Sequence, residues 1–209
     1  MDALLDWDRG LFSMLNGHPW PGWVDAFFVF ITDDARARVP LILIWLLLLL
    51  ACGPVWRRRA LWLLPLVALS DGLSSQVLKD LFARPRPCHE PLAHLRLLVN
   101  CGPGYSFPSS HAANMGAAGL FLAAGLARWR WRLPVLLAAA LVAYSRIHVG
   151  VHYPLDVLGG GLAGALVAWG ALALMGAVPW RWLGLKGVVR GHSRAQRRRQ
   201  AGAPPTLPG

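Results

Sequence analysis

Runs of apolar residues alternate with short polar segments along most of this chain. The five longest runs cover about residues 39–55, 60–80, 111–127, 133–150 and 154–177. An α-helix needs roughly 20 mostly apolar residues to cross the hydrocarbon core of a bilayer, and these runs are of that order. A shorter apolar run, residues 23–32, precedes them. The pattern therefore predicts about six transmembrane helices.

The beginning of the chain has a different pattern, in which apolar side chains recur at helical spacing between acidic and polar ones. The apolar positions within residues 2–16 are Leu4, Leu5, Leu11, Phe12 and Leu15. This is typical of an amphipathic helix that lies in the membrane interface. The segment lacks the basic start and the uninterrupted apolar stretch of a secretory signal peptide, so we expect the transmembrane helices themselves to direct insertion. The predicted fold class is all-α, a polytopic membrane helix bundle with an N-terminal interfacial helix.

Composition agrees with a membrane protein, since 56% of the 209 residues are hydrophobic. The formal net charge of +11 would suggest a nucleic-acid partner in a soluble protein. Here most basic residues lie in clusters between apolar runs, so we predict no nucleic-acid partner and assign the charge to membrane topology and anionic lipid. Residues 1–180 are the predicted membrane-embedded domain, and residues 181–209 are a basic tail that is predicted to be disordered.

The basic clusters also predict the orientation of the bundle. Residues 56–59, 128–132 and the tail hold 13 of the 21 Lys and Arg, and they lie on one side if the spans alternate. The positive-inside rule makes that side, with the C-terminus, cytoplasmic. The long loop of about residues 81–110 and the segment 145–153 then face outward. We expect a bacterial cytoplasmic membrane, with these outward segments on the periplasmic side.

Several polar residues at the outer ends of the spans have charges that topology does not explain. These residues are Lys79, Arg86, His111, Arg146, His152 and Asp156. Cations and hydroxyl groups together bind an anion with several oxygens, which indicates phosphate. The segment Pro108–His111 adds the backbone donors of a helix N-terminus.

The histidines in this set indicate a covalent mechanism. Asp156 follows His152 by four residues, about one helical turn, and can accept the Nδ1 proton so that Nε2 is free to attack phosphorus. His111 can protonate the leaving oxygen. Together these groups predict a phosphohydrolase that works through a phosphohistidine.

The same stretches resemble the three signature motifs of the type 2 phosphatidic acid phosphatase family. The first motif is Lys, six residues, then Arg-Pro; the second is Pro-Ser-Gly-His; the third is Ser-Arg, five residues, His, three residues and Asp. The matching residues are Lys79, Arg86 and Pro87; Pro108, Ser109 and His111; and Ser145, Arg146, His152 and Asp156. Ser110 stands where the family usually has Gly, and Ser keeps the backbone N–H that binds phosphate.

The resemblance implies a role for each matching residue. Lys79, Arg86, Arg146 and the Ser109–Ser110 region would bind the phosphate. His152 would be the nucleophile and Asp156 would orient it, while His111 would act first as general acid and then as the base that activates water. Neither a metal nor another cofactor is expected. The function implied is hydrolysis of a lipid phosphate or diphosphate monoester in the membrane, with undecaprenyl diphosphate as the first choice and phosphatidylglycerophosphate or phosphatidic acid as others.

Three alternatives stay open. A lipid phosphotransferase on the same scaffold would pass the phosphoryl group to a lipid hydroxyl instead of water. A non-catalytic lipid-binding or transport protein would need the cations alone, without the histidines. His148 and His152 are also spaced like a metal pair and could form a zinc site with His111, although the neighbouring cations would repel a metal ion.

Other polar residues receive ordinary assignments. Arg84 and Arg96 are interpreted as members of a juxtamembrane basic cluster, and His148 as a packing residue. The carboxyl group of Asp71, inside an apolar run, is expected to bond Ser74 or Ser75, with support of Lys79 as the alternative. We predict that Cys88 and Cys101 form a disulfide in the outward loop, where oxidation is possible. Cys52 lies in an apolar run and is expected to be inert.

Overall fold

The structure is a computed structural model that describes residues 2–92 and 94–176. Within these residues the regular structure is helical and contains no strands. The α-helices are α1 (Asp2–Asn16), α2 (Gly22–Thr32), α3 (Asp34–Leu50), α4 (Gly53–Gly72), α5 (Lys79–Phe82), α6 (Ser110–Ala123), α7 (Trp129–His148) and α8 (Pro154–Leu174). The predicted all-α class is confirmed. The predicted tail, residues 181–209, lies outside the described residues.

A π-helical segment, Leu73–Leu78, joins α4 to α5, so that the two helices form one continuous stretch. This stretch, Gly53–Phe82, and α8 are the two helical stretches among the described residues that are long and apolar enough to cross a membrane by length and composition. The stretch ends at Ala83, which has a left-handed φ of 44°. The chain then enters the long loop that precedes α6.

The helix boundaries differ from the predicted spans at the first basic cluster. Residues 56–59 were expected to connect two spans, whereas the chain turns at Ala51 and Cys52 and the cluster lies inside α4. Gly53 has a φ of +76° and Pro54 occupies the first turn, and both residue types favour a helix start at this point. The basic side chains therefore extend from the beginning of α4 and not from a loop.

One arginine of that cluster is buried. Arg59 Nη1 donates to the carbonyl of Phe121, near the end of α6, at 2.5 Å, and the guanidinium lies 5.2 Å from the centre of the Phe121 ring. A cation is favourable at this place because the last carbonyls of a helix are unsatisfied and carry partial negative charge. Arg59 therefore attaches α4 to α6.

Helix α6 lies at the centre of the bundle, between α8, α7 and α4. Glycines on α8 allow the close approach: a Cβ added at Gly164 would lie 1.9 Å from the Ala113 carbonyl oxygen, and one at Gly160 would lie 2.3 Å from the Ser109 carbonyl oxygen. Small residues at helix contacts are typical of membrane bundles, in which close packing replaces hydrophobic driving force. This contact fixes the position of the α6 N-terminus relative to the start of α8.

Helix α1 forms as predicted, and polar side chains attach it to the bundle. Asp8 Oδ1 accepts the Leu155 backbone N–H at 2.9 Å, and Asn16 Nδ2 donates to the His148 carbonyl at 2.9 Å. Phe12 is buried on the same face and contacts the Tyr153 ring edge-on. The helix therefore covers the corner between α7 and α8.

Candidate active site

Three parts of the chain meet at one end of the bundle. They are the loop between α5 and α6, the N-terminus of α6, and the turn between α7 and α8. Gly150 makes the last turn possible, since its φ is +87° and an added Cβ would lie 2.5 Å from the Arg96 carbonyl oxygen. Residues from all three predicted motifs are thereby brought together.

His152 lies in this turn and is almost fully buried. Its Nδ1 is 3.6 Å from Asp156 Oδ2, which is longer than a hydrogen bond. The Ser106 hydroxyl lies between them: its Oγ is 3.3 Å from His152 Nδ1, and it donates to Asp156 Oδ2. Ser106 was not among the predicted site residues, although it comes just before the second motif.

Asp156 is held by backbone as well as side-chain donors. It occupies the third position of α8, where Oδ2 accepts the Tyr153 backbone N–H at 2.8 Å in a capping box. Its Oδ1 accepts from Arg84 Nη1 at 2.9 Å. The carboxylate is therefore fixed in place beside the His152 ring.

Arg84 corrects the sequence analysis, which treated it as part of an ordinary basic cluster. It joins two fully buried carboxylates, with Nη1 on Asp156 and Nη2 2.7 Å from Asp8 Oδ2. Its guanidinium also lies over the Tyr153 ring, 4.0 Å from the ring centre. The second carboxylate belongs to Asp8 of α1, 76 residues before Arg84 in the chain, so no local pattern signalled this contact.

Burial determines the protonation of His152. It lowers the pKa of this imidazole to about 4, and the nearby charges of Arg146 and Arg86 lower it further, while Asp156 opposes the shift. The imidazole is therefore neutral at neutral pH. With its Nδ1 side facing Ser106 and Asp156, it has Nε2 available as a nucleophile.

The two predicted phosphate-binding arginines have donors without a partner in the described part of the chain. Arg86 donates through Nη1 to the Cys101 carbonyl at 2.8 Å, and Arg146 donates through Nη1 to Thr32 Oγ1 at 2.6 Å. Among the described residues, the buried Nε atoms of both arginines and the Ser110 hydroxyl lack a hydrogen-bond partner. Lys79 is half-buried, and its charge interacts with those of both arginines. Clustered, unsatisfied donors of this kind match an anion with several oxygens.

The N-terminus of α6 reaches the same place. Ser109 is the N-cap: its Oγ accepts the Ala112 N–H at 3.4 Å, and its own N–H donates to the Asp156 carbonyl at 3.0 Å. This second bond ties the start of α6 to α8. Ser110, the first helical residue, is the one of the two serines whose hydroxyl has no partner among the described residues.

His111 follows on the first turn of α6 and faces a carboxylate that was not predicted. Its Nε2 lies 3.1 Å from Oδ1 of Asp34, at the start of α3. The contact has the distance of a hydrogen bond but not its angles. Asp34 is preceded by two other polar residues, and the sequence pattern did not distinguish it from them.

The assignment of Asp71 can also be compared with the structure. The expected bond from the Asp71 carboxylate to Ser74 or Ser75 is wrong, because both hydroxyls donate to the Asp71 backbone carbonyl. The carboxylate accepts instead from Asn114 Nδ2 at 3.0 Å, between α4 and α6.

His148 has the packing role that was expected, whereas Arg96, which was expected in an ordinary basic cluster, is ion-paired. His148 Nε2 lies 2.8 Å from Asp25 Oδ1, and Arg96 pairs with the same carboxylate. Because His148 contacts Asp25, it does not form a three-histidine cluster with His111 and His152.

The predicted disulfide is present. Cys88 and Cys101 are bonded, and Cys52 is a free thiol. Because Arg86 donates to the Cys101 carbonyl, the bridge lies directly beside one of the phosphate-binding candidates.

Comparison with known proteins gives concordant matches. The family model of the PAP2 superfamily matches residues 59–180. A lipid A 4'-phosphatase from Porphyromonas gingivalis is 31% identical over 88% of this chain and 79% of its own. The undecaprenyl-diphosphatase BcrC from Bacillus subtilis is 30% identical over 65% of this chain and 67% of its own. The fold is similar to a crystal structure of a transmembrane PAP2-type phosphatidylglycerolphosphate phosphatase from Bacillus subtilis, with a TM-score of 0.64, 24% identity, and coverage of 85% of this chain and 89% of that one.

Proposed function

The chain belongs to the PAP2 superfamily, and from this premise we propose that it is a membrane lipid phosphatase that uses His152 as its nucleophile. The observation that carries the proposal is the juxtaposition of a buried, neutral imidazole with unsatisfied donors from Arg86, Arg146 and Ser110. Binding of an anion needs the donors alone. The fixed histidine and its carboxylate support a covalent reaction.

In the first step, His152 Nε2 attacks phosphorus and forms a P–N bond. The bond from phosphorus to the lipid oxygen breaks, and that oxygen takes a proton from the His111 imidazolium. Asp156, with Ser106 between, stabilises the positive charge that the attack creates on His152. The cations and the α6 N-terminus neutralise charge on the transferring phosphoryl oxygens.

In the second step, a water molecule gives a proton to the now neutral His111 and attacks phosphorus. The P–N bond breaks, and inorganic phosphate and free His152 result. Each residue thereby returns to its starting protonation state. Every proton moves between His111, the leaving oxygen and water, so the cycle uses side chains alone.

We propose that the substrate is a lipid phosphate or diphosphate monoester bound at the outer, periplasmic surface of the membrane. The basic clusters lie near the starts of α4 and α7, and the candidate site lies toward the opposite ends of these helices. Because the positive-inside rule makes the basic side cytoplasmic, we place the site on the outer side. Relatives named for lipid A 4'-phosphate and for undecaprenyl diphosphate support the substrate class. Undecaprenyl diphosphate remains our first choice, and lipid A 4'-phosphate joins the phospholipids as an alternative. The membrane-embedded domain is proposed to end near residue 180, as the family match does.

The direct test is phosphate release by the purified protein in detergent with EDTA present. Undecaprenyl diphosphate, lipid A 4'-phosphate, phosphatidylglycerophosphate and phosphatidic acid are assayed in parallel. The matched variants are His152→Ala and His89→Ala, since His89 is an exposed histidine of the same outer region. We expect release that survives EDTA, is lost in His152→Ala and is kept in His89→Ala. Transfer of the phosphoryl group to a second lipid, with little free phosphate, would favour the phosphotransferase.

A further inference from the structure

The corner between α2 and α3 contacts two of the proposed site residues from outside the three motifs. Thr32, the last residue of α2, accepts a hydrogen bond from Arg146 at 2.6 Å. Asp34, the first residue of α3, places Oδ1 3.1 Å from His111 Nε2. This corner is the part of the described chain that brings a carboxylate to His111, and it lies outside the residues matched by the family model.

The start of α3 does not need the Asp34 carboxylate as a cap. The preceding residue, Asp33, performs that role, since its Oδ1 accepts the backbone N–H groups of Ala35 and Arg36. The Asp34 side chain is 80% exposed, so it has no packing role comparable to that of a buried residue. The Asp33 carboxylate therefore caps α3, whereas the Asp34 carboxylate contacts His111.

The chemistry of the first step explains why His111 needs a carboxylate. A general acid must hold its proton until the leaving oxygen takes it. A carboxylate beside the ring carries the charge opposite to that of the imidazolium and holds the ring in one orientation. Contact through Nε2 also leaves Nδ1 as the nitrogen that can meet the leaving oxygen.

We infer that Asp34 is a positioning residue for His111, which orients the ring and pairs with the imidazolium that donates the proton. The inference rests on the proposed function, because it assigns His111 the role of general acid. Asp34 itself does not take the proton. The proton passes from His111 Nδ1 to the leaving oxygen, and His111 recovers it from water in the second step.

The test compares Asp34→Asn with Asp33→Asn on two lipids that share one diacylglycerol anchor. Phosphatidic acid must expel an alkoxide, which needs protonation, whereas diacylglycerol diphosphate expels a phosphate ester, which is already a good leaving group. For Asp34→Asn we expect kcat on phosphatidic acid to fall about 10- to 100-fold with little change in KM, which is no more than the roughly 100- to 10,000-fold contribution of a general acid, because His111 itself stays in place. On the diphosphate we expect less than about a threefold loss. Asp33→Asn keeps a good N-cap and should match the wild type on both.

Two further variants test the role of Asp34 without a comparison between two lipids. Asp34→Glu should restore part of the lost kcat, because it returns the negative charge. In a His111→Gln background, Asp34→Asn should have no further effect, since the residue acts through His111.

Equal losses on both lipids, a change in KM alone, or the same loss in the His111→Gln background would overturn the inference. If Asp34→Asn keeps wild-type kcat on phosphatidic acid, the inference fails while the proposed function stands. If the wild-type protein releases no phosphate from any lipid, the proposed function itself fails.

Discussion

At the residue scale, Arg84 shows how a buried charge can support a site that it does not enter. Asp8 and Asp156 are both fully buried, and Arg84 is their shared partner. Removing one member of a buried ionic group leaves the others uncompensated, which costs far more than the loss of a surface pair. Arg84 therefore matters for stability and for the orientation of Asp156.

We expect Arg84→Gln to lower the free energy of unfolding by about 3 kcal/mol, the usual scale for breaking a buried ion pair. It should also reduce kcat by about tenfold or more, because Asp156 loses the donor on Oδ1. Thermal unfolding and phosphate release in the same detergent measure both effects. Arg130→Gln is the control, since Arg130 is exposed near the start of α7. Wild-type kcat in Arg84→Gln would show that this contact does not hold Asp156 for catalysis.

The protonation of His152 gives a second prediction at this scale. Its pKa is about 4 in the folded protein, whereas an unfolded histidine titrates near 6.5. Between these values the unfolded chain binds a proton that the folded chain does not, so stability falls as the pH falls through this window.

We therefore expect the difference in melting temperature between the wild type and His152→Gln to be constant above about pH 6.5. As the pH is lowered from about 6.5 to about 4, the wild-type melting temperature should fall relative to that of the variant. The variant is the control because it lacks the titrating group and keeps a side chain of similar size. Melting curves of both proteins across this range measure the difference. A difference that does not vary with pH would contradict the assignment of a neutral, buried His152.

At the element scale, the contact between α6 and α8 positions the two histidines relative to one another. His111 lies at the start of α6 and Asp156 at the start of α8, while His152 precedes α8 by two residues. Glycines let the two backbones touch, and the Ser109 N–H donates across the contact to the Asp156 carbonyl. A change in the helix spacing would therefore separate the proposed acid from the nucleophile.

Gly164→Ala tests this contact, because the added Cβ would lie 1.9 Å from a backbone carbonyl that cannot move alone. We expect a loss of about 1–3 kcal/mol in stability, as for other overpacked contacts, together with a lower kcat. Gly161→Ala is the matched control on the same helix, since its Cβ would meet nothing within 4 Å. That variant should keep wild-type activity and should be at least as stable, because Ala favours helix. Equal behaviour of the two variants would argue against close helix contact.

At the scale of the whole molecule, the end of the bundle that carries the candidate site is held together by connections between distant parts of the chain. The disulfide closes the loop before α6. Carboxylates of α1 and α2 pair with arginines of that loop, and the corner between α2 and α3 contacts His111. The opposite end has basic residues and Arg59, which binds the end of α6. The two ends differ in charge and in covalent support, and both differences support the proposed periplasmic orientation of the site.

Replacing both Cys88 and Cys101 by Ser should lower stability by about 3 kcal/mol in the chain-entropy account of a loop of this length. It should also raise KM for the lipid, because Arg86 donates to the Cys101 carbonyl and loses a fixed partner. Melting curves and kinetics with and without a reductant measure these effects in the wild type. Cys52→Ser is the control: it keeps the disulfide, so its stability, its KM and its response to the reductant should match those of the wild type. Unchanged KM in the double variant would mean that the bridge stabilises the loop without positioning Arg86.

The sequence by itself determined the membrane class and the set of residues that is proposed to carry the chemistry. Apolar periodicity and basic clusters are local properties of the chain, and the three motifs contain His111, His152, Asp156 and the cations within short stretches. The disulfide was also predictable, because only two cysteines lie in the outward loop.

Only the tertiary structure decided which groups support that chemistry. Asp8, Asp34 and Thr32 reach the site from helices far along the chain, and Arg84 is identified as a buried partner only when both of its carboxylates are in place. Helix boundaries at residues 51–53 likewise depend on a left-handed glycine within an otherwise apolar region. Contacts between distant elements are set by packing, which residue spacing along the chain does not encode.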